Sequence, residues 1–209
     1  MSAGFNPRLI TSGLEFCIDP TNPKSYISGN IVKDLSRNKK NCELIGDYHL
    51  DTVDGVRCVI TKSNQSRGSG IIQPNSIKLH TISIWCKALD GQNGINPTFI
   101  DTRPSVVNGF IFSGNFGRGW DNTSSYYNGI FVGDTRILSS TILFGVNEWK
   151  NITLIRKNPC VCTTLRFYFD SNNKNSRSFA SSLITCYNRP LSEDEVIDNF
   201  LAFKGRFNL

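Results

Sequence analysis

Short stretches in which apolar and polar residues alternate recur along almost the whole chain. They read LEFCI, GVRCVI, HTISIWCKA, NGFIFSG, NGIFVG, WKNITLIR, TTLRFYFD and SLITCYN, and Gly, Asn, Pro, Asp or Ser stands between most of them. A period of two puts successive side chains on opposite faces of an extended strand, and turn-forming residues every ~8–12 positions fold such strands back on one another. This punctuation predicts an all-β chain of antiparallel strands, folded as a sandwich, a barrel or a jelly roll.

Within HTISIWCKA, Ile82, Ile84, Cys86 and Ala88 share one face, while Thr81, Ser83, Trp85 and Lys87 share the other. In WKNITLIR, Ile152 and Leu154 point one way and Trp149, Asn151, Thr153 and Ile155 the other, so this strand carries apolar residues on both faces. Only RPLSEDEVIDNFLAFKG changes period. Ser192 is a good helix N-cap, Glu195 completes a capping box, and Glu193 and Asp194 suit the positive end of a helix. Val196, Ile197, Phe200 and Leu201 then follow helical spacing, and Gly205 can end the turn in the left-handed conformation. The expectation is one short closing helix over 192–204.

A chain of 209 residues suits one β domain over 1–209, with 1–11 as an N-terminal arm. No apolar run serves as a signal-peptide core and nowhere do ~18 apolar residues follow one another. Folding in the cytoplasm that made the chain is therefore expected, and the seven cysteines are expected to be mostly thiols. Cys17, Cys86 and Cys186 lie in apolar runs, where a thiol acts as a small hydrophobe. Cys160 and Cys162 form a C-x-C that only His49 and His80 could extend with imidazoles, so no metal or other cofactor is expected.

Lys and Arg exceed Asp and Glu by six, a general bias toward anionic partners. The densest cluster, Lys33, Arg37, Lys39 and Lys40, has no interleaved aromatics on which bases could stack, so it reads as a solvated loop and specific nucleic-acid binding is not expected. Sequons at Asn64, Asn122 and Asn151 matter only in a secreted chain. Segments 60–70 and 171–178 read as polar loops.

Glycoside hydrolysis on a sandwich needs two opposed carboxylates, and no strand carries an E-x-D-x-E pattern. The one dense acidic run, Glu193 to Glu195, is accounted for by helix capping, and the chain is expected not to be an enzyme. NFGRGWDNTSSYYNG, 115–129, gathers Arg118, Trp120, Asp121, Asn122, Tyr126 and Tyr127. Aromatic faces with planar polar groups suit sugar stacking and hydroxyl recognition. The same residue types anchor loops or meet neighbouring subunits, which is the preferred reading. Asp101 and Arg103 read as a pair at a strand end, and Asp121 and Asn122 are the weak calcium candidates.

NPRLITSGLEFCIDPTNPKSY followed by VKDLSRNKKNCEL, and the ending ITCYNRPLSEDEVIDNFLAFKGRFNL, resemble the opening and closing stretches of concanavalin A-like (laminin-G-like) jelly-roll domains of tailed-phage virion proteins. Between them HTISIWCKA, NEWKNITLIRK and LRFYFDSN are similar to that group's middle strands, with departures at SRNKKN and DSNNKN. The resemblance implies a non-enzymatic virion component, such as a capsid decoration, collar or tail-associated protein. It would be held by protein contacts in symmetric copies, with segment 1–11 and the polar loops docking on the particle. A lectin-like module for host surface glycans is the alternative.

Overall fold

The computed structural model describes residues 8–62, 69–89, 98–102, 111–115, 118–120, 127–137, 147–168 and 178–209. Among them the alternating runs become fifteen strands: β1 (Leu14–Ile18), β2 (Ile31–Val32), β3 (Cys42–Ile45), β4 (Tyr48–Val53), β5 (Val56–Thr61), β6 (Gly70–Gln73), β7 (Ile77–Ala88), β8 (Thr98–Asp101), β9 (Ile111–Asn115), β10 (Arg118–Trp120), β11 (Tyr127–Val132), β12 (Thr135–Ile137), β13 (Trp149–Cys162), β14 (Leu165–Phe167) and β15 (Phe179–Tyr187). One sheet has eight strands in the order β12-β11-β13-β7-β15-β5-β4, with β1 also on β15. The other has seven, in the order β10-β9-β8-β14-β6-β3-β2. Every pairing is antiparallel.

The two sheets bury their facing sides in one apolar cluster. The eight-stranded sheet contributes Ile82, Ile84, Cys86, Ile152, Leu154 and Ile184, and the seven-stranded sheet contributes Leu44, Ile71, Leu165 and Phe167. Period two thus sorts residues as expected, and β13 is apolar on both sides. Its Trp149 and Ile155 lie in separate clusters on the outer face of the eight-stranded sheet.

That outer face is covered by α1 (Glu193–Phe203). The Ser192 hydroxyl accepts from the Glu195 amide at 3.2 Å and the Glu195 carboxylate accepts from the Ser192 amide at 2.9 Å, the reciprocal capping box that satisfies two otherwise orphaned donors. Val196, Asn199 and Phe200 form the buried face, while Ile197 and Leu201 stay half-exposed.

The ending differs from expectation. Gly205 does not reverse the chain; a 3-10 turn runs Lys204–Phe207, and the left-handed residue is Asn208, at φ 58°. The tighter turn carries Phe207 onto the sheet, where its ring lies parallel to Trp85 with centroids 4.0 Å apart. Phe200 stacks on Trp85 as well, at 5.6 Å, and Trp149 tilts onto Phe207 at 4.9 Å. A reversal at Gly205 would turn the chain before Phe207 reached this stack.

The described part of the N-terminal arm lies on the chain's own helix. Leu9 and Ile10 pack against the two outer clusters, and the Ile10 amide donates to the Asn199 side-chain oxygen at 2.9 Å. Residues 1–7 lie outside the described residues.

The DLS motif is a loop organiser. The Asp34 carboxylate is buried and accepts from the Cys17 and Ser36 amides, the Ser36 hydroxyl and the Lys40 amide, between 2.7 and 2.9 Å. Asn38 donates from its side chain to the carbonyls of Leu14 and Glu15, which ties the basic loop to β1.

Candidate functional site

The segment singled out in sequence joins the two sheets. β10 is the edge of the seven-stranded sheet, with Arg118 opposite Asn115 and Trp120 opposite Ser113. β11 begins at Tyr127, in the eight-stranded sheet, opposite Arg156. Asp121, Asn122 and Tyr126 lie between them, outside the described residues, as does Arg103. Trp120 and Tyr127 therefore stand at the two ends of a crossing from one layer to the other.

Tyr127 is only 7% exposed and belongs to the inter-sheet cluster. A register shift between Tyr127 and Gly129 lets Tyr127 and Ile130 both face inward although they are three residues apart. Its ring fills the core and offers no face to a ligand. Arg156, opposite it, is 4% exposed and marks a break in the pairing of β13 with β7, where Ile155 meets Thr81 and Cys160 meets Leu79. His80 sits across this break. Burial first, with the charges of Arg156 and Lys78 adding to it, holds His80 below the ordinary imidazole value.

Cys160 and Cys162 both face the core, and all seven cysteines are buried, free thiols. The Cys162 thiol donates to Cys160, which with Arg156 draws the Cys160 thiol below its usual range despite burial, while the same bond pushes Cys162 up. Burial alone raises Cys86, to about 12. His49 lies on β4, four strands from β13 across the sheet, or about 19 Å. It cannot join the C-x-C, and among the described residues no three His, Cys, Asp or Glu side chains converge.

Pairing across strands reveals a feature the linear sequence hides. On the outward face of the seven-stranded sheet, Ile31, Glu43, Ile72, Arg166 and Asp101 occupy consecutive positions of one transverse row. Alternation within CELI and LRF turns Glu43 and Arg166 away from the core, but nothing local says that they share a row with Asp101. Asp101 is fully buried and Glu43 exposed. Three strand spacings separate them, about 14 Å, beyond the ~5–9.5 Å that glycosidase carboxylate pairs require.

Other buried or half-buried carboxylates already have donors. Glu15 takes Lys40 at 2.6 Å and the Asn188 amide at 2.9 Å, Asp19 takes Arg206 at 2.8 Å, and Glu195 takes both terminal nitrogens of Arg189. Lys87, 6% exposed, is matched by Asp54 at 2.5 Å. The sequon residue Asn151 is buried and donates to Ser83 at 2.9 Å, which leaves no room for a glycan there.

No family model matches the sequence, and a search of curated proteins finds no match. The fold does have solved counterparts. It is similar to the binding domain of Paraclostridial Mosquitocidal Protein 1, at 16% identity and TM-score 0.55, over 92% of this chain and 53% of that one. It is similar to domain 4 of AbnA, an extracellular arabinanase of the GH43 class from Geobacillus stearothermophilus solved with arabinotriose, at 12% identity and TM-score 0.55, over 89% of this chain and 97% of that one. A Trypanosoma rangeli sialidase matches at 11% identity and TM-score 0.53, over 93% of this chain and 34% of that one. The chain thus spans about half of the mosquitocidal binding domain and a third of the sialidase, and it shares a β-sandwich fold with these solved structures.

Proposed function

We propose that this chain is a non-catalytic binding module that recognises carbohydrate through the crossing between β10 and β11. The observation that carries the reading is the likeness over nearly all of AbnA domain 4, a unit solved with an arabinose oligosaccharide. Trp120, at the sheet edge opposite Ser113, is the aromatic assigned to sugar stacking, and Arg118, Asp121, Asn122 and Tyr126 are assigned to the hydroxyls. Tyr127 supports the crossing from within the core. The absence of catalysis is supported by the engagement of Glu15, Asp19, Asp34 and Glu195 with donors and by the wide spacing of Glu43 and Asp101.

A second reading, a tailed-phage virion component held by protein contacts, is favoured by one specific observation. The terminal motifs that carry the phage resemblance are the parts that close this sandwich: the DLS loop fixes β1, and the NRPLSEDE stretch caps α1. The two readings are compatible in a particle-borne attachment module. The test applies purified protein to a glycan array and to particles lacking it. Glycan binding abolished by Trp120→Ala supports the lectin role, whereas saturable particle binding without any glycan signal assigns the chain to the particle alone.

A further inference from the structure

The strand β4 ends the eight-stranded sheet, and among the described residues it pairs only with β5. The two strands are joined by the two-residue turn Asp54-Gly55, both with positive φ, 53° and 79°. In such a hairpin the residues flanking the turn, Val53 and Val56, are a hydrogen-bonded pair, and the alternation continues up the ladder to the Lys62 amide on the Asp47 carbonyl. The amides and carbonyls of Tyr48, Leu50 and Thr52 therefore point away from the sheet. The Thr52 amide accordingly finds only the neighbouring Asp51 carboxylate, at 2.7 Å.

Natural edges are usually blunted by lysines, a proline or a bulge. β4 has none of these. Its outward-facing polar side chains are His49 and Asp51, 43% and 60% exposed, 4.0 Å from each other. The edge is also bordered by an exposed apolar side chain: Ile27, 69% exposed, lies in the loop bound to this edge. The Tyr48 and Tyr26 hydroxyls both donate to the Gly29 carbonyl, and Arg57 donates to the Ile27 carbonyl.

We propose that β4 is a homodimer interface, at which a second copy of this chain pairs antiparallel along β4 about a two-fold axis through Leu50. The geometry selects this register. Because only Tyr48, Leu50 and Thr52 offer outward backbone groups, the strand slides along its copy in steps that keep these three facing one another. Centred on Leu50, all three bond: Leu50 with the partner's Leu50, Tyr48 with the partner's Thr52, and Thr52 with the partner's Tyr48. His49 then stands opposite the partner's Asp51, twice over by symmetry. Sliding one step either way sets His49 against the partner's His49, or Asp51 against the partner's Asp51, so like faces like. The centred register alone matches opposite groups, and Ile27 adds apolar surface beside it.

The test is sedimentation velocity of the full chain over a concentration series, with a cross-linking arm. The expected result is a concentration-dependent dimer whose Kd rises at least tenfold in His49→Asp, where four acids would meet, and returns close to wild type when His49→Asp is combined with Asp51→His. Unchanged far-ultraviolet dichroism and melting in these exposed variants keep folding out of the comparison. Leu50→Cys should form a disulfide dimer under mild oxidation, because a self-facing hydrogen-bonded pair has Cα atoms about 5.5 Å apart. Thr52→Cys, about 13 Å from its own copy, should not. The native thiols are all buried and give little background. A monomer at concentrations on the order of 100 μM, a dimer indifferent to His49→Asp, or equal cross-linking by Thr52→Cys each overturn the proposal.

Discussion

Single residues do their work here mainly by holding the backbone where a turn or a close approach demands it. Gly13 is the clearest case. Its φ is +73°, and a Cβ there would lie 2.8 Å from the Arg189 side chain, at the point where β1 meets the end of β15. Gly13→Ala should therefore destabilise by roughly 2–3 kcal/mol, read as a shift in the urea midpoint without a change of slope. Asp34 was legible only as part of VKDLSRNKKNCEL, a stretch that carries the family resemblance. That its carboxylate receives four donors from β1 and its own loop depends on contacts seventeen residues apart, which no local rule supplies. Tyr127 carries the opposite lesson. In sequence it stood with Trp120 and Tyr126 as a loop anchor, a subunit contact or a ligand aromatic, and a register shift between it and Gly129 turns it into the core.

At the scale of elements, the closing helix was readable because its signals are local. Ser192, Glu195 and the 3.6-residue spacing of Val196 and Phe200 all act within one or two turns. Its ending was not, because Phe207 answers to Trp85 on a distant strand and extends the turn past Gly205. Phe207→Ala removes a ring stacked on Trp85 and tilted onto Trp149, and should cost about 3 kcal/mol, with a red shift in tryptophan emission as both indoles gain access to water. Glu195 gives the helix a pH dependence. Hydrogen bonds from Arg189, then from the Ser192 amide, hold its carboxyl below the ordinary glutamate value, while burial opposes them. A depressed native pKa contributes stability that is complete above the unfolded value, near 4.3, and is lost as pH falls through the native one. The melting temperature of wild type should exceed that of Glu195→Gln by a constant margin from pH 7 to about pH 5, and the margin should shrink below about pH 4.

At the scale of the whole molecule, the two-sheet sandwich follows from period-two runs and their turns. The face of each strand was right wherever the period was unbroken, as in β7, whose Trp85 lies on the helix side and whose Ile84 lies between the sheets. Strand order was not legible, since pairings such as β15 with β1 or β8 with β14 join segments far apart in the chain. For the same reason the outward row through Glu43, Arg166 and Asp101 and the open edge at β4 came only with the register. The central claim is that this sandwich binds carbohydrate without turning it over. Its most direct test is a calorimetric titration of the best array glycan into wild type and Trp120→Ala, with the sugar recovered afterwards and assayed for new reducing ends. Saturable binding by wild type, at least a tenfold loss in Trp120→Ala at unchanged melting temperature, and intact sugar are the predicted results; cleaved sugar, or equal affinity in the variant, would contradict the account.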